Sequence, residues 1–372
     1  MSPAGSDPLT ACHVVAVPYP GRGHINPMMN LCKLLTSSNP HLLVTFVITE
    51  EWLGFIGSEE KPPSIRFATI PNVLPSELAR AVDMTSFVEA TQTKMEEPFE
   101  RLLDRLDAPV NIIIADTFLN WAVDVGNRRN IPVASLWPMP ASVFSIFYHF
   151  HLLADNGHFP FELSAKSHST NQNDDRHYFE WLNSKPPSSV LYVSLGSFLS
   201  VSSAQMDENA KGLRDSGVTF LWVARGESTK LQEKCGDGGK VVAWCDQLKV
   251  LCHSSVGGFW THCGWSSTLE GMYAGVPMIT LPILADQTTT SKFIVEDWKI
   301  GWDGKRGVKG GDFLRSAHIS EMVRRFMDLE SIERKEMTRR ARELQVVAGG
   351  AILDGGSSKM NLDSFLDDIT RF

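Results

Sequence analysis

Short runs of aliphatic and β-branched residues recur along this chain, and stretches with apolar positions every three to four residues separate them. His13–Val17 (HVVAV) is the first run; Leu42–Ile48, Ile65–Thr69, Val110–Ala115 and Pro132–Leu136 follow. Apolar runs without polar alternation predict parallel strands covered on both faces. After the first run, Ile25, Met28, Met29, Cys32 and Leu35 mark one face of a helix, with Asn26 expected as its cap and Pro27 as its first residue. Ser86–Leu106 predicts a longer helix, kinked or broken at Pro98. A helix with a dense apolar and aromatic face is expected at about Ser142–Ala154. Alternating strand and helix signals imply a doubly wound parallel sheet.

The pattern lapses over Ser164–Asp175 (SAKSHSTNQNDD), which reads as a linker or mobile loop. A second series then begins with strands at Val190–Ser194, Phe220–Val223 and Lys240–Val242. It ends in a charged amphipathic helix over Ile319–Leu344, a break at Gly355-Gly356 and a short helix near Leu362–Ile369. The division expected is an α/β domain over 1–163, a linker over 164–187 and a second α/β domain over 188–372, whose terminal helices return toward the first.

One stretch of the second series carries chemistry: Trp244 to Gln287, WCDQLKVLCHSSVGGFWTHCGWSSTLEGMYAGVPMITLPILADQ. It predicts a strand (Val256–Trp260), a tight turn (Thr261–Gly264), a helix opening at Ser266 or Ser267 and stopping before Gly275, and a second strand (Met278–Leu281). Unpaired N–H groups and the positive dipole at a helix N-terminus suit a phosphate. Gly264 lets a pyrophosphate approach the backbone, and Trp244 offers a flat face for a base. Plainer readings fit the same residues one at a time. Ser267 and Glu270 match a capping box, Asp286 an N-cap, and Trp244 a core side chain.

Taken together, the stretch resembles the signature box of plant family-1 UDP-glycosyltransferases. The resemblance implies that Trp244 stacks on uracil, that His262, Gly264 and Ser267 hold the diphosphate, that Glu270 binds ribose, and that Asp286 and Gln287 bind the sugar. Cys245, Gln247, Trp265 and Ser266 join the UDP-sugar site on the same ground, as does Ser197 in S-L-G-S after Val190–Ser194. Gln287 is similar to the residue of glucose-using members, whereas Ser266 stands where the family usually has Asn. The implied fold is a pair of Rossmann-like domains facing across a cleft, the GT-B type. The segment between Phe161 and Asp174 is shorter than in the family, which leaves the N-terminal domain incomplete.

His24 lies in G-R-G-H-I-N-P just before the first helix, where the helix N-terminus disfavours the imidazolium and favours a general base. Asp116 closes the strand Asn111–Ala115 and is the candidate to orient that ring. From position alone, a loop histidine and an N-capping aspartate fit equally well. The resemblance implies the catalytic base and its partner acid. It also implies inverting transfer of a sugar, glucose on the evidence of Gln287, from a UDP-sugar to a hydroxyl of a small aromatic or apolar metabolite. Phe118, Trp137 and Phe144 are candidates to line the acceptor pocket, although core packing fits each of them.

Composition narrows the alternatives. With 43% hydrophobic and 21% charged residues and a formal charge of −8, the chain is an ordinary globular protein without the basic surplus of a nucleic-acid binder. Six cysteines without a C-x-x-C pair suit a reducing cytoplasm rather than a zinc site. No secretion signal and no membrane span are expected. No cofactor is expected either, and no metal, since no D-x-D sequence is present to hold a cation on the diphosphate. A monomer is expected. Two other readings stay open here. One is a shortened, inactive UDP-sugar-binding homologue. The other is an NAD-dependent oxidoreductase, against which Asn26 stands where the third fingerprint glycine belongs.

Overall fold

A computed structural model of the chain describes residues 12–57, 63–77, 83–148, 178–196, 202–224, 228–283, 286–308 and 313–371. They fall into two compact units, Met139 to Ile352 forming one and the segments on either side forming the other.

The first unit is built from β1 (His13–Val17), α1 (Arg22–Ser38), β2 (Leu43–Thr49), α2 (Glu50–Ile56), β3 (Ile65–Ile70), α3 (Met84–Thr93), α4 (Glu96–Leu103), β4 (Ile112–Asp116), α5 (Trp121–Arg129) and β5 (Val133–Leu136). Its five strands lie in the order β3-β2-β1-β4-β5, and every pair is parallel. Val14 and Ala16 pack on one face of β1 with Ile25, Met28 and Trp52, while Val15 and Val17 pack on the other with Phe99 and Trp121. Burial on both faces is why these strands read as unbroken apolar runs. β5, at the edge, has no fully buried residue, and Ser135 is exposed.

The second unit runs through α6 (Ala141–Tyr148), α7 (Tyr178–Asn183), β6 (Val190–Ser194), α8 (Ser203–Ser216), β7 (Thr219–Val223), α9 (Ser228–Cys235), β8 (Gly239–Val242), α10 (Gln247–Leu251), β9 (Val256–Thr261), α11 (Trp265–Tyr273), β10 (Met278–Thr280), α12 (Gln287–Lys292), β11 (Gly301–Asp303), α13 (Ser316–Phe326) and α14 (Ile332–Ile352). Its strand order, β11-β10-β9-β6-β7-β8, is again all parallel. Counted from β6, this is the doubly wound order 3-2-1-4-5-6, which reverses direction between β6 and β9. In the first unit the reversal lies between β1 and β4. Ligands of open α/β sheets bind at the carboxyl ends of the strands flanking that point.

Several sequence expectations are corrected. α1 opens at Arg22 rather than Pro27, with Gly21 as its cap, because the His24 and Ile25 N–H groups already bond the Gly21 carbonyl. Asn26 is exposed and caps nothing. The 86–106 pattern is two helices parted at Lys94–Met95, not at Pro98. Pro98 is the third residue of α4, where a backbone N–H has no helical partner to lose. The tail helix is also two, because Ser331 accepts from the Arg334 N–H and starts α14 afresh.

Residues 178–183, expected in the linker, form α7, and Tyr178 and Leu182 pack in the second core. The rest of the linker expectation and the end of the 142–154 helix lie outside the described residues. The last helix, α15 (Ser357–Ile369), packs on the first unit, where Ile369 is buried and its carbonyl accepts from Cys12 Sγ.

Candidate active site

In the first unit, β1 and β4 deliver one residue each to the switch point. The loop leaving β1 reaches α1, and His24 stands in the first turn of that helix. Asp116 is the last residue of β4 and is fully buried. His24 Nδ1 and Asp116 Oδ2 are 2.7 Å apart, and the imidazole keeps 21% of its side-chain exposure. A carboxylate only accepts, so the hydrogen sits on Nδ1 and the Nε2 lone pair is left for a proton from elsewhere. Asp116 Oδ1 accepts from the Phe118 N–H at 3.0 Å, which fixes the carboxylate plane. The N-cap of α5 is Asn120, so the capping role weighed for Asp116 is not the one it fills. Aromatic rings surround the imidazole: Tyr19 at 5.1 Å, Phe118 at 5.7 Å, and Trp137 5.8 Å beyond Phe118.

In the second unit, the loops after β6 and β9 flank the switch point. Gly196, with φ of 95°, turns the first loop against His262, whose ring a Cβ at 196 would meet at 2.9 Å. The left-handed residue of the second loop is Cys263, φ 67°, rather than Gly264. Gly264 is needed for another reason: a Cβ there would fall 2.5 Å from His262 Nε2. The imidazole itself therefore demands both glycines. Burial pushes the His262 pKa down to about 4, with the Ser194 backbone opposing the shift, so the ring is neutral near pH 7. α11 opens at Trp265, one residue earlier than expected, with Gly264 as its cap and no capping side chain. The N–H groups of Trp265, Ser266 and Ser267 thus point out of the helix without intrahelical partners. A neutral imidazole beside a bare helix N-terminus is a fitting seat for a diphosphate.

Ser267 and Glu270 do not form the capping box. Ser267 lies inside α11, and both side chains accept from Gln247 Nε2, at 2.9 Å and 2.6 Å. Gln247 Oε1 accepts in turn from Tyr192 Oη at 3.0 Å, and the same hydroxyl lies 3.4 Å from Cys245 Sγ. Burial raises the Glu270 pKa, and the Gln247 hydrogen bond opposes that shift. Tyr192 went unread in the sequence. Its signal was a phenol in the otherwise aliphatic run VLYVS, which needs a buried partner for its hydroxyl.

Trp244 is 38% exposed, so it is a surface ring and not a core one. Asp286 occupies the N-cap position of α12 without a capping side-chain bond, and Gln287 Oε1 accepts from the Ile283 N–H at 2.8 Å. Ser197 lies outside the described residues. Phe144 belongs to the second unit and is 47% exposed, so it is not core.

Comparison with known proteins gives the family of the chain. The family described as UDP-glucoronosyl and UDP-glucosyl transferase matches residues 78–302. UDP-glycosyltransferase 87A2 of Arabidopsis thaliana is 46% identical over 453 aligned residues that span 100% of both chains. UDP-glycosyltransferase 87A1 of the same plant is 45% identical over 95% of this chain and 100% of its own. An alignment of 453 positions exceeds the 372 residues of this chain, so the relative carries residues with no counterpart here.

Among solved structures, Os79 from O. sativa in complex with UDP matches with a TM-score of 0.82 at 23% identity, over 96% of this chain and 100% of its own. UGT71G1 of Medicago truncatula, complexed with UDP-glucose, matches at 0.78 and 22%, over 97% and 99%. These likenesses fix the fold as two Rossmann-like domains of the GT-B type. The protein is an enzyme, and it belongs to the plant family-1 UDP-glycosyltransferases.

Proposed function

We propose that the chain transfers glucose from UDP-glucose to a hydroxyl of a small aromatic or apolar metabolite, with inversion at the anomeric carbon. The observation that carries this reading is the 2.7 Å pair of His24 Nδ1 and Asp116 Oδ2, which leaves Nε2 as the basic nitrogen. The acceptor hydroxyl gives its proton to Nε2 as its oxygen attacks the anomeric carbon. The bond from that carbon to the UDP oxygen breaks, and UDP leaves with the electron pair. Asp116 steadies the imidazolium that forms. The rings of Tyr19, Phe118 and Trp137 favour a flat or apolar acceptor.

On the donor side, Trp244 takes the uracil and Glu270, held by Gln247, takes the ribose. Asp286 and Gln287 take the sugar, with Gln287 supporting glucose. Charge on the leaving diphosphate is met by His262 and the N-terminus of α11, so the reading needs no metal or other cofactor. All six cysteines are free thiols, which supports a cytoplasmic setting. No helix among the described residues is long and apolar enough to cross a membrane.

The test is an acceptor screen on the purified protein, with the anomeric configuration of the product read by NMR. A β-glucoside is expected from the α-linked donor. His24→Ala is expected to cut acceptor-driven UDP release by roughly 10²–10⁴-fold while UDP binding is retained. An α-glucoside, or turnover undiminished in that variant, overturns the reading.

A further inference from the structure

The amino ends of the second sheet hold a feature that the donor site does not use. The first turn of α14 places Arg334 beneath β9, where it is 2% exposed. Its Nη2 donates to the Gly257 carbonyl, and the guanidinium carbon lies 4.7 Å from the centre of the Phe326 ring. Nε and Nη1 have no partner, and no carboxylate among the described residues pairs with this side chain. Burial lowers its pKa only to about 10, so it remains a cation at neutral pH. A charge removed from water and left without a counter-ion is strongly unfavourable, which is why buried arginines are ordinarily paired.

Arg334 lines a surface cavity of about 710 Å³ together with Gly257 and Pro277. Lys335, Arg339 and Arg342 add three cations to its wall against one acid, Glu343. Lys335 is tied to Glu330, and Arg339 to both Glu336 and Glu343, whereas Arg342 makes no ion pair among the described residues. The volume is that of a pocket for a small organic molecule. β9 separates it from His262. Gly257 is near the start of that six-residue strand and His262 follows its end, a separation of about 17 Å at the usual rise of a strand.

We infer that this cavity is a second ligand site, distinct from the donor site, for a small metabolite bearing phosphate or carboxylate groups. The missing counter-charge of Arg334 is what such a ligand supplies, and the cations at the wall draw it in.

The test is thermal unfolding of the full chain in saturating UDP, which keeps added anions out of the diphosphate seat. Inorganic phosphate and citrate are compared with chloride at equal ionic strength. An anion at about five times its Kd is expected to raise Tm by roughly 2–4 °C over chloride. Phosphate acting alone identifies a phosphate ligand; citrate acting alone or equally identifies carboxylates.

Arg334→Met is expected to abolish the shift and, with the unpaired charge gone, to leave Tm without anion unchanged or higher. Should that variant fail to fold, Arg339→Ala combined with Arg342→Ala decides, with an expected loss of about 3–10-fold in anion affinity. Shifts no larger than with chloride, or a full shift retained in the double variant, overturn the inference. The measurement requires no turnover, so it stands apart from the transferase reading.

Discussion

Asp116→Asn separates the chemistry of the histidine pair from its shape. The change is isosteric, and one carboxylate oxygen becomes an amide nitrogen. Oδ1 already accepts from the Phe118 N–H at 3.0 Å, so the amide oxygen stays there and the NH₂ group turns toward His24 Nδ1. The reverse flip sets two donors against each other and leaves a buried N–H unsatisfied, at about 1–3 kcal/mol. An amide donating to Nδ1 forces the ring hydrogen onto Nε2, the nitrogen meant to receive the acceptor's proton. The variant therefore holds the wrong tautomer and also loses the charge that steadies the imidazolium. The same exchange in a histidine–aspartate pair of serine proteases costs about 10⁴-fold in kcat, and a general base alone is worth about 10²–10⁴-fold. We expect kcat to fall by roughly 10²–10⁴-fold, with Tm nearly unchanged. Affinity for UDP should be unaffected, because the residues proposed to hold it belong to the other unit. The assay is acceptor-dependent UDP release alongside calorimetric UDP binding. Turnover within about threefold of the parent refutes the tautomer argument.

Other changes test the donor side. Trp244→Ala should weaken UDP binding by roughly 1–3 kcal/mol, about 5- to 150-fold, since a ring 38% exposed is available for stacking; an unchanged Kd removes Trp244 from the site. Tyr192→Phe frees the Gln247 amide to flip and slackens its hold on Glu270. The expected result is a several-fold rise in the KM for UDP-glucose with kcat kept, and a stability loss of about 0.5–1.5 kcal/mol; a fall in kcat without a change in KM contradicts it. His262 gives a pH signature. The unfolded ring takes up a proton as pH falls through 6.5, but the folded ring waits until about 4. Protonation therefore favours the unfolded state in that window, and up to roughly 3 kcal/mol is lost between pH 6.5 and 4. Unfolding midpoints of the parent and of His262→Gln should converge as pH falls across that range, and parallel curves would exclude the effect.

Much of the fold was legible in the chain because both sheets are parallel and covered on both faces. That burial writes each strand as an apolar run, and even the positions of Asp116 and His262 at strand ends could be read from where the runs stop. Helix limits were less legible. Pro98 looked like a breaker yet sits where a helix start has no N–H to lose, and Pro27 looked like a start yet lies inside α1.

The sequence by itself determined two α/β series, the candidate phosphate-binding stretch and the two residues of the histidine pair, because each is a local pattern of residue type and spacing. Only the tertiary structure decided what those residues touch. It set Asp116 against His24 across 92 positions of chain, and it made Gln247 rather than a helix cap the partner of Ser267 and Glu270. It also left a lone guanidinium under β9. Hydrogen bonds and burial join positions that the chain keeps far apart, and no periodicity records which of them will meet.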